Sequence, residues 1–210
     1  MGDDVSEKEK LLRDIAERVA TCKRCPLWRH RRNPVPGEGN PNARIMFIGE
    51  APGYQEDLQG RPFVGAAGKL LTSLIENILG VRRSDVYITN ILKCRPPNNR
   101  DPRPEEVEAC TPFLDEQIRI ICPEVIVCLG RHSAKYILSR AGRKFSSILS
   151  VRGSIIETDL YGKKTKIIAT IHPAAALYRP PWKKMLEEDF RIIRRIIEYE
   201  GTRVTLDEFV

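Results

Sequence analysis

Apolar segments alternate with helical patterns along this chain of 210 residues. Four segments are rich in large apolar residues and end near glycine or a polar side chain, at 44–49, 86–91, 124–129 and 166–171. Helical spacing of apolar residues marks the intervening and final segments, at 66–79, 104–121, 131–141 and 182–199. Continuous apolar strands alternating with helices are typical of a parallel sheet covered on both faces. We therefore predict an α/β fold, a three-layer α/β/α arrangement around a central, mainly parallel four-stranded sheet.

The rest of the chain fits a single domain of residues 1–210. An amphipathic helix is predicted over 6–21, with Ser6 as its N-cap, and a further short strand over 155–158. Pro, Gly and Asn residues predict an irregular loop from 33 to 42. Neither a repeat nor a low-complexity tract divides the chain, and we expect residues 201–210 to be a loose tail.

Polar motifs follow the predicted strands. Glu50 comes after the first strand, Asn90 lies in the second, and His172 follows the last. Because ligands of parallel sheets bind outside the carboxyl ends of the strands, we expect these three side chains around one pocket. Ordinary structural roles remain open, since an Asn at a strand end commonly serves a turn and a lone His is usually structural.

Cysteine usage points to metal chemistry. The N-terminus lacks an apolar signal segment, which predicts a cytoplasmic protein, and disulfide frameworks are rare there. Four of the six cysteines suit ligands and come from three segments: Cys22, Cys25, Cys94 and Cys110. Soft thiolates select zinc or iron–sulfur, and the spacing alone does not decide between them. Cys122 and Cys128 are expected in the core.

Charge narrows the class of partner. The formal net charge of +7 favours a polyanion, because each phosphate neutralised by Lys or Arg releases condensed counterions. Basic residues cluster at 23–32, 95–103 and 179–184, although solvated faces are the ordinary alternative. No apolar run approaches the length that crosses a bilayer, so we expect no membrane partner.

Several motifs recur in one order and together carry a resemblance. They are Gly49-Glu-Ala-Pro-Gly53, Glu56-Asp57, Gly60-Arg-Pro-Phe-Val-Gly65, Thr89-Asn90 with Lys93-Cys94, and His172-Pro-Ala-Ala175. With the cysteine spacing, they resemble the family 4 uracil-DNA glycosylases, a thermostable iron–sulfur group, over roughly residues 10–198. The resemblance implies a monofunctional enzyme of base excision repair. Such an enzyme flips uracil out of DNA, hydrolyses its N-glycosidic bond and leaves an abasic site.

The resemblance also implies roles for individual residues. A [4Fe–4S] cluster is carried onto the four cysteines named above. Glu50 would position or activate the attacking water, and His172 would stabilise charge that develops on uracil O2. Uracil would stack on Phe63, and Asn90 would pair with its O4 and N3–H, beside Gly49. Leu177 would wedge into the duplex, although packing on the sheet is an equal alternative.

The chain departs from the best-known uracil glycosylases at two positions of its first motif. Ala51 stands where those enzymes carry a water-activating Asp, which leaves Glu50 as the candidate. Gly53 replaces the Tyr that blocks the methyl group of thymine, and Glu56 is expected to fill that space. A solvated acidic turn is the alternative for Glu56.

Two other classes of function stay open. One is a non-catalytic nucleic-acid-binding protein with a structural zinc or iron–sulfur site. The other is a glycosylase for a different deaminated or mismatched base. We expect a monomer that acts on uracil-containing DNA in a nucleoid-associated location, and heavy use of Arg, Glu, Lys and Ile suggests a thermophile. The segment 205–210 is either a docking peptide for a sliding clamp or a frayed end.

Overall fold

The computed structural model describes the backbone of residues 2–203 and the side chains of residues 6–198. Within these residues the α-helices are α1 Gly2–Thr21, α2 Tyr54–Gln59, α3 Ala66–Leu74, α4 Pro104–Ile121, α5 Arg131–Arg140, α6 Ile148–Val151, α7 Pro173–Ala176 and α8 Pro180–Arg203. The strands are β1 Glu38–Gly39, β2 Ile45–Gly49, β3 Tyr87–Asn90, β4 Val125–Leu129, β5 Ile155–Leu160 and β6 Lys163–Thr170.

All six strands join one sheet in the order β1-β3-β2-β4-β6-β5. The four central strands are mutually parallel, whereas β1 and β5 pair antiparallel at the two edges. The predicted α/β class is confirmed, but the predicted number of four strands is wrong. The additional strands lie at the edges: β1 has only two residues and was not predicted, whereas β5 contains the short strand predicted over 155–158 and extends to Leu160.

Alternate residues of β2 explain why helices cover both faces of the sheet. Ile45 and Phe47 pack in one apolar cluster with residues of α3 and α8. Met46 and Ile48 pack on the opposite face, in a cluster with residues of α4 and α5. Successive side chains of a strand point to opposite faces, so a strand with two apolar faces must be covered twice. A third cluster joins α1 to α4.

Helix boundaries differ from the prediction mainly at the ends. The first helix begins at Gly2, so Ser6 lies inside it and is not its N-cap. The predicted helix over 66–79 is α3 followed by a π-helical turn over Ile75–Leu79, and it ends at Gly80 in the left-handed region. The short helices α2, α6 and α7 were not predicted, because none of them has an apolar repeat long enough to show helical spacing.

The final helix reaches Arg203, three residues into the segment that we expected to be a loose tail. Residues 204–210 lie outside the described residues, and so does the segment proposed to dock a sliding clamp, which stays a prediction. None of the described helices has the length and apolar character of a membrane span.

Candidate active site

A cavity of about 350 Å³ opens at the carboxyl ends of β2, β3 and β6. Small-molecule sites typically have volumes of about 300–1,000 Å³. Ten of its lining residues belong to the sequence motifs, among them Glu50, Gly53, Glu56, Phe63, Asn90 and His172. Three strand ends and two loops therefore supply one site, as expected for a parallel sheet.

Asn90 is the last residue of β3 and is 2% exposed. Its Oδ1 is buried and has no hydrogen-bond partner among the described residues. An unpaired buried acceptor costs about 1–3 kcal/mol, and native proteins rarely carry one without a reason. Because the side chain lines the cavity, a ligand that donates a hydrogen bond would satisfy this oxygen.

A buried lysine holds the strand end that carries Asn90. Lys93 is 1% exposed, and its Nζ donates to Thr89 Oγ1 at 2.6 Å, to the Asn90 backbone oxygen at 2.8 Å and to Gln117 Oε1 at 2.7 Å. Gln117 lies on α4, so the ammonium group links the end of β3 to that helix. The sequence flagged Lys93 only as part of a motif, since lysines are rarely buried.

Phe63 forms an aromatic wall of the cavity. Its φ of +51° lies in the left-handed region, which is unusual for a bulky residue and typically costs about 1–3 kcal/mol. The ring stacks against the His172 imidazole with centroids 5.7 Å apart. Gly49 lies next to this ring: a Cβ added to Gly49 would be only 2.6 Å from Phe63 Cζ and 2.3 Å from Asn90 Oδ1. Only glycine lets both side chains approach this closely.

His172 is held as a neutral hydrogen-bond donor. It caps α7, and its Nδ1 accepts a hydrogen bond from the Ala174 backbone N–H at 3.1 Å. Burial lowers the pKa of His172 to about 4, against a smaller opposing effect of the Glu56 charge. The ring is therefore neutral at pH 7, with its proton on Nε2 because Nδ1 is an acceptor.

The carboxyl group of Glu50 has a pKa near neutral pH. Burial raises the pKa of Glu50 to about 7, and the nearby Asp101 carboxylate adds to this effect while Arg131 opposes it. A carboxyl group with this pKa is well matched to proton transfer at neutral pH. Glu50 is therefore a candidate for proton transfer in this cavity, and its role in activating water stays a prediction.

The environment of Glu50 includes residues that sequence reasoning missed. His132 Nε2 lies 3.6 Å from Glu50 and 3.6 Å from Asp101, and Arg131 pairs with Asp101. His132 opens α5 directly after β4, and β4 is the neighbour of β2 in the sheet. Knowledge of that strand order would have placed His132 beside Glu50. The loop after β3 also reaches the cavity, through Pro96, Asn99 and Arg100.

Glu56 connects two motif loops. Its Oε1 accepts hydrogen bonds from the backbone N–H groups of Val64 at 2.8 Å and Gly65 at 2.9 Å, and its Oε2 accepts one from Gly53 at 3.2 Å. A Cβ at Gly53 would lie 2.8 Å from Glu56 Oε2. The carboxylate therefore lies where a side chain at position 53 would extend. It is hydrogen-bonded to backbone groups of two loops and is not simply part of a solvated acidic turn.

Leu177 lies near the cavity without lining it. It follows α7, whose residues Ala174 and Ala175 line the cavity, and it is 37% exposed. The adjacent Tyr178 is 86% exposed. The structure thus places an apolar side chain on the surface beside the opening, and it leaves the wedge role a prediction.

The four candidate ligand cysteines line a separate small cavity between α1 and α4: Cys22, Cys25, Cys94 and Cys110. Two N–H groups point at their sulfurs, from the Lys93 backbone to Cys110 Sγ at 3.2 Å and from Arg31 Nη1 to Cys94 Sγ at 3.1 Å. Burial raises the pKa of the Cys110 thiol to about 12. Buried thiols with N–H donors aimed at them suit thiolate ligands, whose charge those donors stabilise.

The spacing of the thiols bears on which group they hold. Zinc binds sulfur at about 2.3 Å, which places tetrahedral thiolates about 3.8 Å apart. Among the described residues, the group with three ligand atoms all within 4.8 Å of one another is Glu50, Asp101 and His132, not the cysteines. In this arrangement the four thiols are therefore too widely spaced to surround one zinc ion. Cys128 lies in the core as expected, whereas Cys122 is half-buried at the end of α4.

The main cavity combines features that suit a planar ligand. An aromatic wall, an unpaired amide oxygen and a neutral imidazole N–H could together bind a heterocycle that has both donors and acceptors on its edge. The Glu50 carboxyl group, whose pKa is raised to about 7, lines the same cavity. The arrangement suits a reaction in which a heterocycle departs as an anion and water is added.

Comparisons with known proteins agree with this chemistry. The profile of the uracil DNA glycosylase superfamily matches residues 36–193. The type-4 uracil-DNA glycosylase of Sulfurisphaera tokodaii is 56% identical over 95% of this chain and 90% of that protein. Those of Saccharolobus solfataricus and Archaeoglobus fulgidus are each 54% identical, over 93% and 87% of this chain and 90% and 91% of their own lengths.

Proposed function

Because the chain belongs to the type-4 uracil-DNA glycosylases, we propose that its main cavity receives uracil flipped out of DNA and hydrolyses the N-glycosidic bond. A base inside a duplex cannot reach a cavity at the end of a sheet unless it leaves the stack. The product is an abasic site for DNA repair. The observation that carries the proposal is the unpaired, buried Oδ1 of Asn90 at the wall of this cavity.

Asn90 reads the base. Its Oδ1 accepts a hydrogen bond from uracil N3–H, and its amide nitrogen donates to O4. Cytosine presents an acceptor at N3 and a donor at C4, so both contacts would be lost. Phe63 stacks on the base. Gly49 leaves room for the Phe63 and Asn90 side chains to approach each other, which holds both of them against the base. Glu56 fills the space beside Gly53 and would exclude the methyl group of thymine.

His172 and Glu50 act on the bond that breaks. As the bond from C1′ to N1 opens, its electron pair stays on uracil and negative charge builds up on O2. The His172 Nε2–H donates to O2 and retains its proton, because the ring is neutral at pH 7. Water then adds its oxygen to C1′, and Glu50 orients this water and accepts its proton, while uracil gains a proton from solvent.

The surroundings of the cavity suit nucleic acid. The chain carries a net charge of +7, and Leu177 is an exposed apolar side chain beside the opening. We assign Leu177 to the space that the flipped nucleotide vacates. We further propose a monomeric enzyme in a nucleoid-associated location, where its DNA substrate lies.

We also propose that the four cysteines hold a [4Fe–4S] cluster. The thiols line one cavity, are too far apart for a single zinc ion and receive two N–H hydrogen bonds. A bound cluster would supply four iron–thiolate links that join the end of α1, the loop after β3 and α4. We expect about four irons and four sulfides per chain with a broad visible absorption, and stoichiometric zinc without iron would contradict this assignment.

Release of uracil tests the main proposal. The purified protein, with its metal content measured, is incubated with a labelled oligonucleotide that contains a single uracil. We expect free uracil and a strand that stays intact until alkali cleaves it at the abasic site. Parallel substrates with hypoxanthine or mismatched thymine should react slowly. Absence of uracil release would favour a non-catalytic binding protein, and faster release of another base would identify a different substrate.

A further inference from the structure

Two arginines beside the cavity lack acidic partners. Within the described part of the chain, neither the Arg32 nor the Arg95 guanidinium group forms an ion pair, although the backbone N–H of Arg32 donates to Asp57 Oδ1 at 2.9 Å. Arg95 uses Nε to donate to Asn99 Oδ1 at 2.7 Å, and Asn99 lines the cavity. Its two terminal nitrogens have no hydrogen-bond partner among the described residues. Two cationic groups at the same opening are thus available for an anionic ligand.

A single exposed ring brings these two arginines together. The Arg32 guanidinium carbon lies 5.7 Å from the centroid of the Tyr54 ring, and that of Arg95 lies 5.1 Å from it. Tyr54 is 46% exposed and directly follows Gly53, a cavity residue. Cation–aromatic contacts at exposed sites contribute about 0.5–1 kcal/mol, enough to orient a long side chain. The two arginines come from separate basic segments of the sequence, at 23–32 and 95–103.

Two neighbouring arginines differ from Arg32 and Arg95, because their guanidinium groups are paired within the protein. Arg100 also lines the cavity, but it forms a bidentate ion pair with the buried Glu106. Arg31 donates to the backbone oxygens of Val19 and Ala20 and to Cys94 Sγ. Protein groups therefore already satisfy these two arginines, whereas the guanidinium groups of Arg32 and Arg95 contact the Tyr54 ring and form no ion pair among the described residues.

We propose that Arg32 and Arg95 clamp one phosphodiester group that flanks the flipped uridine, with Tyr54 as the anchor that aligns both guanidinium groups. Guanidinium groups bind phosphate through charge-assisted, often bidentate hydrogen bonds. A phosphate fixed at the opening sets the register of the strand and keeps the uridine opposite Asn90 and His172. The inference rests on the proposed function, because it assigns the strand that carries uracil to this opening.

The test measures binding without cleavage. The oligonucleotide carries 2′-fluoro-2′-deoxyuridine, whose electron-withdrawing fluorine opposes positive charge at C1′ and so prevents cleavage. The Arg32→Gln/Arg95→Gln variant should bind this duplex at least about tenfold more weakly than wild type, as loss of charge-assisted contacts predicts. The slope of log K against log salt should fall by about 0.9, the value for one lost phosphate contact on duplex DNA.

A matched control removes the same charge elsewhere. Arg143 and Lys144 follow α5. This helix begins at the carboxyl ends of the strands, where the cavity lies, and runs back toward their amino ends. Arg143→Gln/Lys144→Gln should leave affinity and salt slope near wild type. Tyr54→Phe should bind like wild type, whereas Tyr54→Ala should weaken binding several-fold. Equal losses for both Tyr54 variants would contradict the anchor role.

A neutral linkage identifies the phosphate. Methylphosphonate replaces the phosphodiester on the 5′ or the 3′ side of the uridine, one at a time. At one of the two positions, wild type should lose about tenfold in affinity and the Arg32→Gln/Arg95→Gln variant should lose nothing further. If both proteins respond equally to each linkage, or if the variant binds like wild type, the clamp is refuted. A wild type that cleaves uracil normally would keep the proposed function intact in that event.

Discussion

Replacement of Gly49 by Ala tests the geometry of the proposed base pocket. The new Cβ would lie 2.3 Å from Asn90 Oδ1, 2.6 Å from Phe63 Cζ and 2.8 Å from Phe63 Cε2, whereas real Cβ contacts essentially never fall below 3.0 Å. The amide oxygen must therefore retreat by about 0.7 Å, and the Phe63 ring must shift as well. Neither movement is easy, because Asn90 is buried and Phe63 is held in an unusual backbone conformation.

The effect on catalysis should exceed the effect on stability. Misplacement of a reacting or orienting group by about 1 Å can cost about 100-fold in rate, so we expect kcat/KM for uracil release to fall about 100-fold in Gly49→Ala. Overpacking should cost about 1–3 kcal/mol in the free energy of unfolding. Steady-state kinetics on a uracil oligonucleotide and thermal unfolding would measure the two quantities on the same preparation.

Gly80→Ala is the matched control. Gly80 has a φ of +73°, so alanine there is strained, but nothing lies within 4 Å of the added Cβ. It should therefore lose stability and keep its activity. If Gly49→Ala retains kcat/KM within about twofold of wild type, then Asn90 and Phe63 do not form the base pocket as proposed.

Three further predictions follow from the site. Because the pKa of Glu50 is raised to about 7 and its ionised form accepts the proton, kcat/KM should fall about tenfold per pH unit below that value, and Glu50→Gln should be slow with a flat pH profile. His172→Ala should lower kcat by about 10²–10³-fold with little change in KM, since its N–H stabilises charge that exists only in the transition state; an effect on KM alone would contradict this role. Leu177→Ala should slow single-turnover cleavage of uracil in duplex DNA more than in single strands, and equal effects on both would argue for simple packing.

The sequence predicts the centre of the sheet better than its edges. Apolar strands such as β2, whose five residues are all buried, are visible because both faces must be covered by helices. The edge strand β1 consists of Glu38 and Gly39, which show no apolar pattern. Its pairing with β3 depends on contacts between residues about 50 positions apart, which local periodicity does not report.

Some residues of the candidate site could be predicted from the sequence, and others could not. Residues at strand ends, such as Asn90 and His172, could be assigned to one cavity because a parallel sheet gathers its carboxyl ends at one edge. His132 could not, since its proximity to Glu50 requires β4 to lie beside β2, and the order of strands is a tertiary property. The burial of Lys93 was equally hidden, because its three hydrogen-bond acceptors come from two separate segments.

The most direct test of the account compares uracil and cytosine release by wild type and Asn90→Asp. The account predicts that wild type releases uracil and leaves cytosine untouched. In Asn90→Asp the side chain can no longer donate to O4 but can accept from the amino group of cytosine, so uracil release should slow and cytosine release should appear. A variant that processes uracil at the wild-type rate and still rejects cytosine would show that Asn90 does not read the base.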